Sequence, residues 1–300
     1  EQNVDSFVAL ALDDSDQFFI TTDPTANYEL SDVLVIFKLD DADKCDGITT
    51  QTPPSVCPCP TDPTELVNDP RYGTTCLKPI DSTSLYYFAE QMNDDLVVTI
   101  DTANEQDGFE YTGKVKINNL DPLFKTSTPA ASSFQIFTNE EAEGLNAFYE
   151  LFPEEAACGL VYDYYASSLY TFLGFASYAY QGSDIAPSIT ALIANSPNRI
   201  SYTDISITPQ ELYYEKSCGG VSVPEGGVYY YNEYYTSFAI EKFGILDFEC
   251  VPNTIVPQSK VTSCTNTSSS YLPTLKGYRI GAALDQSVSN IKELILRFGP

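Results

Sequence analysis

The hydrophobic period of this chain changes once, near residue 125, and that change limits the fold more than any other feature. Before it, apolar and polar residues alternate and β-branched and aromatic types prevail, as in half-buried strands. Strands are expected over residues 7–12, 17–21, 32–39, 96–100 and 114–117. A Pro- and Cys-rich insertion over 45–76, containing Cys57-Pro58-Cys59-Pro60, interrupts them. Residues 125–150 read as a linker, opened by the polar run Lys125 to Ser133. Beyond it the spacing becomes helical. Val161, Tyr165, Leu169, Phe172 and Ala176 predict one long buried helix. Thr208, Pro209 and Glu211 predict a helix start, with Thr208 as N-cap and Glu211 closing a capping box. A third helix is expected over 228–242, burying Tyr231, Tyr235, Phe238 and Ala239. The fourth is capped by Asn290 with Glu293, buries Ile291, Leu294, Ile295 and Phe298, and stops at Gly299-Pro300. Strands first and helices second describe an α+β protein, with a β-rich half over 1–124 and a helical half over 151–300.

Composition narrows the chemistry. None of the 300 residues is a histidine, the usual general base beside a Ser or Cys nucleophile and the commonest ligand of catalytic zinc. Ser-His and Cys-His catalysis is therefore impossible within this chain. Against 42 Asp and Glu stand only 15 Lys and Arg, a formal charge of −27 that repels nucleic acid and anionic membranes. Hydrophobic residues at 43%, with 22 Tyr and 17 Phe, supply a core and exclude disorder. No apolar run reaches the length of a membrane span.

Eight cysteines, an even number, and the glycosylation sequon Asn266-Thr267-Ser268 point to a secreted protein, with Glu1-Gln2-Asn3 as a processed start. In the insertion, Cys45, Cys57, Cys59 and Cys76 allow three pairings. A zinc site is the alternative, and the acidic secreted setting favours disulfides. The aspartates at 13, 14, 16, 40, 41 and 43 read as solvated turns rather than a paired-carboxylate site. Asp41 to Gly47 resembles part of an EF-hand loop, but Cys45 spoils a ligand position and Thr52 stands where the closing Glu belongs. No cofactor and no metal are expected. Tyr229, Tyr230, Tyr231, Tyr234 and Tyr235 exceed what one helix face buries. The surplus suggests a contact surface for a protein, or for a glycan although Trp is absent.

Cys158-Gly159, the aromatic helix after it and Ile207-Thr208-Pro209-Gln210-Glu211-Leu212 stand in an order that resembles the papain-like cysteine peptidases. In that family the active-site helix follows a Cys-Gly pair, and the next segment reads Leu-Ser-x-Gln-x-Leu. Gly226-Gly227, the helix to Lys242, Phe243-Gly244-Ile245 and the closing run Ile291 to Pro300 continue the likeness over residues 155–300. The family's Gly-Pro pair leads into a β-barrel half, which here is expected at the front. Residues 7–13 resemble the strand after Gly-Pro and 31–36 the strand bearing the catalytic His. Residues 96–100 and 113–117 resemble the strands around Asn-Ser-Trp-Gly. The resemblance implies a circularly permuted papain-like fold, barrel half first and helical half second. The alternative is a separate N-terminal β-module before a partial papain-like helical half.

Laid on the family's Cys-Gly-Ser-Cys-Trp, Val161 takes the nucleophile's place and Tyr162 the tryptophan's. Glu155 falls on the oxyanion-hole Gln, Asp32 on the His and Ile100 on or near the Asn. Val161 has no nucleophilic atom, and a carboxylate at 155 repels an oxyanion. Cys158, Cys218, Cys250 and Cys264 then serve as bridges, with Cys158–Cys218 and Cys250–Cys264 the preferred pairs. The expectation is a secreted, non-enzymatic structural or interaction protein. It is expected to self-associate head-to-tail into filaments where the permuted junction closes between neighbours. A monomeric decoy or inhibitor, and a peptidase completed by a second chain, are the alternatives.

Overall fold

In the computed structural model, which describes residues 11–12, 18–19, 31–39, 84–101, 111–117, 120, 138–203, 211–223, 227–229 and 233–298, strands and helices mix along the chain. The strands are β1 (Ala11–Leu12), β2 (Phe18–Phe19), β3 (Ser31–Lys38), β4 (Ser84–Tyr87), β5 (Val97–Ile100), β6 (Gly113–Lys116), β7 (Arg199–Tyr202), β8 (Glu211–Tyr213), β9 (Glu215–Ser217), β10 (Gly220–Val223), β11 (Gly227–Tyr229) and β12 (Tyr278–Gln286). The helices are α1 (Asn139–Glu143), α2 (Pro153–Ala156), α3 (Gly159–Ala166), α4 (Leu169–Gln181), α5 (Ile189–Asn195), α6 (Glu233–Phe243) and α7 (Val288–Phe298), with a 3-10 turn over Asn146–Phe148. The class is α+β. Residues group into two units: Glu1–Tyr86, Lys114–Ile136 and Gly281–Pro300 form one, Tyr87–Gly113 and Phe137–Ile280 the other. This grouping does not follow the linear division at 124 and 151, because the chain's two ends share a unit.

The first unit is built on a six-stranded sheet in the order β2-β1-β3-β12-β4-β6. Along β3, Val33, Val35, Ile36 and Phe37 are buried and Lys38 is exposed. Next to it, β12 buries Ala282 and Ala283 completely. A Cβ on Gly281 would lie 2.8 Å from Phe37 Cε1 and 3.0 Å from Tyr86 O, so only glycine lets β12 approach both neighbours. In β6, Val115 is buried while Lys114 and Lys116 are exposed. That alternation matches an edge strand, where lysine discourages further pairing. Helix α7 packs on β3. Its first turn is closed by Ser287, whose carbonyl accepts from Ile291 N at 2.9 Å and whose hydroxyl accepts from Asn290 N at 3.3 Å. The expected cap at Asn290 is thus displaced to a residue one turn earlier.

The sequence-expected neighbours in this half differ from those found. β5 forms as expected but leaves the six-stranded sheet: it runs parallel to β7, Val98 opposite Ile200, and β7 pairs antiparallel with β8. Val98, Ile100 and Ile200 join Met92, Leu96, Tyr235 and Phe238 in one apolar cluster. A strand buried on its apolar face pairs wherever that face is covered, and alternation alone does not say where.

Three helix expectations are corrected in the second unit. The single helix through Val161 and Ala176 is two, α3 and α4, broken at Ser167-Ser168. There Ser168 takes φ 64° and the Ser167 hydroxyl donates to Tyr164 O at 3.2 Å, ending the first helix locally. Thr208 and Pro209, the expected helix start, lie outside the described residues, and Glu211 and Leu212, expected to continue it, belong to β8. From Glu211 to Ser217 exposed and half-buried residues alternate, which is strand periodicity. The helix over 228–242 splits into β11, paired with β10, and α6. Gly244 ends α6 at φ 77°; a Cβ there would meet Thr274 O at 2.5 Å.

Helix α5 is buried at every position. Its polar residues are satisfied by the loop after α6. The Ser188 hydroxyl donates to Val251 O at 2.6 Å and that of Thr190 to Pro252 O at 3.0 Å. Asn195 and Val261 exchange two bonds, Val261 N to Oδ1 at 2.7 Å and Nδ2 to Val261 O at 3.3 Å. Buried polar groups paired in this way fix one register between helix and loop.

Candidate functional site

Each position that the papain-like likeness assigns to catalysis has a structural occupation. Val161 lies in α3 with none of its surface exposed. Cys158, just before α3, is bonded to Cys218, so the Cys-Gly pair offers no thiol. Glu155 is 5% exposed in α2. One of its carboxylate oxygens accepts from Phe152 N at 3.0 Å, closing the helix N-terminus, and the other from Asn253 Nδ2 at 3.0 Å. Asn253 also donates to Pro187 O at 2.9 Å and accepts from Thr190 N at 3.3 Å. Both carboxylate oxygens therefore have fixed donors. A short acid-rich helix start, Phe-Pro-Glu-Glu, is the local reason Glu155 turns back on its own helix.

Ile100 sits in β5 at 1% exposure, within the apolar cluster. Asp32 belongs to the other unit, where Oδ1 accepts from Asp285 N at 2.9 Å. Glu155 and Val161 lie on helices in contact with each other. Among the described residues no cysteine is free to serve them as a nucleophile.

The cysteine expectations are met where they can be seen. Cys158–Cys218 and Cys250–Cys264 are disulfides, and no described cysteine is free. Cys45, Cys57, Cys59 and Cys76 lie outside the described residues, as does the EF-hand-like run from Asp41. Asn266 is exposed, and its Oδ1 accepts from Ser268 N at 3.2 Å and from Ser268 Oγ at 2.6 Å. Among the described residues no helix is long and apolar enough to cross a membrane.

Of the tyrosines expected to offer an aromatic contact surface at 229–235, only the side chain of Tyr235 is described. Tyr235 is buried, and its hydroxyl donates to Pro197 O; Tyr230 and Tyr231 lie outside the described residues, and the side chains of Tyr229 and Tyr234 are likewise not described. Exposed aromatic area lies instead in a segment the sequence reading assigned to the linker and the start of the helical half. Phe148, Tyr149 and Phe152 are 49%, 59% and 55% exposed. Three half-exposed rings within five residues put a concentration of apolar area on the surface, the kind of patch that marks contact sites. The ring of Phe152 lies 6.1 Å from that of Phe248.

Acidic residues flank these aromatics in sequence and in the loops bonded to their segment. Asp184 Oδ1 accepts from Asn146 N at 2.7 Å, at the base of the 3-10 turn that carries Phe148. Asp247, beside Phe248, accepts from Ala186 N at 3.1 Å and from Glu249 N at 2.7 Å. Burial raises the Asp247 carboxyl above its ordinary range. The two amides oppose that rise, and the charges of Glu249 and Asp184 add to it. Glu150 and Glu154 are exposed among the rings in sequence.

No protein family, curated protein or solved structure matches this chain.

Proposed function

We propose that this chain is a non-catalytic extracellular interaction protein, a degenerate relative of the papain-like peptidases whose surface and not its helix pair does the work. The observation that carries the reading is the exposed aromatic run Phe148, Tyr149 and Phe152, on a unit where the Cys-Gly sulfur is oxidised and Val161 is sealed in the core. The disulfides and the Asn266 sequon support an extracellular setting. The test is peptide hydrolysis by the purified chain with and without reductant, together with labelling by a thiol-directed epoxide. No cleavage and no label are expected; thiol-dependent turnover ends the reading.

Self-assembly head-to-tail into filaments is the second reading. It is favoured by further exposed apolar residues, Tyr213 at 51%, Ile255 at 69% and Leu272 at 72%. Among the described residues β1, β3 and β12 are neighbours in one sheet of one chain, which supports closure within the chain over closure between neighbours. Filaments would then need side-chain surfaces rather than strand donation. Negative-stain images of concentrated protein separate the two: compact single particles support a soluble binding partner, and fibres support assembly.

A further inference from the structure

We propose that the exposed segment carrying Phe148, Tyr149 and Phe152, with Phe248 beside Phe152, docks an arginine- and lysine-rich segment of another protein. This rests on the interaction-protein reading and names the chemistry of the partner.

The segment combines exposed rings with acidic residues that pair with no Lys or Arg among the described residues. Between Lys125 and Arg199 the sequence contains no Lys or Arg, while Glu150, Glu154, Asp163 and Asp184 fall within that stretch. Asp247 and Glu249 bring two more carboxylates to Phe248, close enough for Glu249 and Asp184 to act on Asp247. Among the described residues no Lys or Arg stacks on Phe148, Tyr149 or Phe152.

The same unit shows what such a combination attracts. Tyr213, also half exposed, carries the Arg199 guanidinium 5.7 Å from its ring centre, and Glu211 holds that guanidinium at 3.4 Å. Ring, acid and cation meet there; at Phe148 to Phe152 rings and acidic residues share one segment, and no described Lys or Arg lies over those rings. A cation is attracted to the face of an exposed ring, and nearby carboxylates raise the local concentration of a basic segment. A second copy is a poor occupant, because each chain carries a charge of −27.

The test uses the full chain and a fluorescent peptide of alternating Arg and Leu, with an alternating Glu and Leu peptide as its counterpart. Anisotropy at physiological salt is expected to show binding of the basic peptide only, weakening steeply as salt rises. The double variant Phe148→Ser/Tyr149→Ser leaves net charge unchanged and is expected to weaken binding at least tenfold. Glu150→Gln/Glu154→Gln/Glu249→Gln is expected to weaken it and flatten its salt dependence. Ile255→Ser/Leu272→Ser, which removes exposed apolar area but none of these rings or carboxylates, is expected to bind as the parent does. Hydrogen exchange on the unaltered chain, which needs no variant to fold, is expected to show peptide protection at 146–152.

Binding unaffected by the aromatic double variant would mean diffuse attraction to an acidic surface and overturns the proposal. So does protection that falls elsewhere, or no binding of the basic peptide. Equal binding of the acidic peptide removes the cationic partner while leaving an interaction face. Self-association abolished by Phe148→Ser/Tyr149→Ser would identify a second copy as the occupant, overturning the proposal and sparing the broader reading.

Discussion

Lys216, on β9, sends its ammonium to Ala194 O at 3.2 Å and Ser196 O at 2.5 Å, the carbonyls that end α5. The site suits a cation, since a helix C-terminus carries partial negative charge. Burial nevertheless pulls the Lys216 pKa down to about 7, from 10.5 in the open chain. Between those values the unfolded chain binds the extra proton, so stability rises with pH across that window, by at most about 1.4 kcal/mol per pH unit. Above pH 10 the buried phenols of Tyr170 and Tyr180, both raised by burial, keep protons that the unfolded chain releases, and stability falls again. Urea denaturation at stepped pH should show this dome, and Lys216→Met should flatten its rising side; an unchanged slope in the variant would assign the rise to other groups. Glu155 gives a second residue-level prediction. Glu155→Ala removes the acceptor of Phe152 N and strands the amide of buried Asn253, at a cost of about 1–3 kcal/mol. Glu155→Gln, which keeps an acceptor, should cost less in the same denaturation assay.

At the level of elements, two crosslinks hold segments that hydrogen bonds alone would hold loosely. Cys158–Cys218 closes a separation of 60 residues and Cys250–Cys264 one of 14. Loop-closure entropy assigns roughly 4 kcal/mol to the first and roughly 3 kcal/mol to the second. Cys250→Ala/Cys264→Ala should therefore lower stability less than Cys158→Ala/Cys218→Ala. Limited proteolysis should cut first in the loop over 247–265, which clasps α5 through Val251, Pro252 and Val261. Equal sensitivity in both variants would show that the buried polar bonds of Ser188, Thr190 and Asn195 hold that loop unaided. The α3–α4 break carries a parallel lesson. Five apolar residues at helical spacing cannot reveal that Ser168 adopts left-handed backbone between them.

For the whole molecule, charge dominates. With −27 on the chain, copies repel one another at low ionic strength, and the repulsion fades as the Debye length shrinks from roughly 30 Å at 0.01 M to roughly 8 Å at 0.15 M. Sedimentation velocity should accordingly show monomers at low salt, with any self-association appearing only as salt rises. Association that weakens with added salt would mean that specific ion pairs drive it, and would strengthen the filament reading.

Much of this was legible before any coordinate. Missing histidine excludes Ser-His and Cys-His catalysis whatever the alignment, and the strands at 32–39, 96–100 and 114–117 and the helix after 288 follow from local periodicity. The cysteine pairing preferred from chain order is the one found. What the sequence by itself determined, then, is element type where one face repeats over several residues, and the classes of chemistry open to the chain. Only the tertiary structure decided which strands are neighbours, why β12 returns from the far end to lie beside β3, and which aromatics stay in water. Tyr235 and Tyr149 are the same residue type in similarly aromatic, acidic stretches. One is buried because it packs in a cluster with Val98, Ile200 and Phe238, and the other, in no such cluster among the described residues, is 59% exposed. Burial depends on partners distant in sequence, and a local pattern carries no record of them.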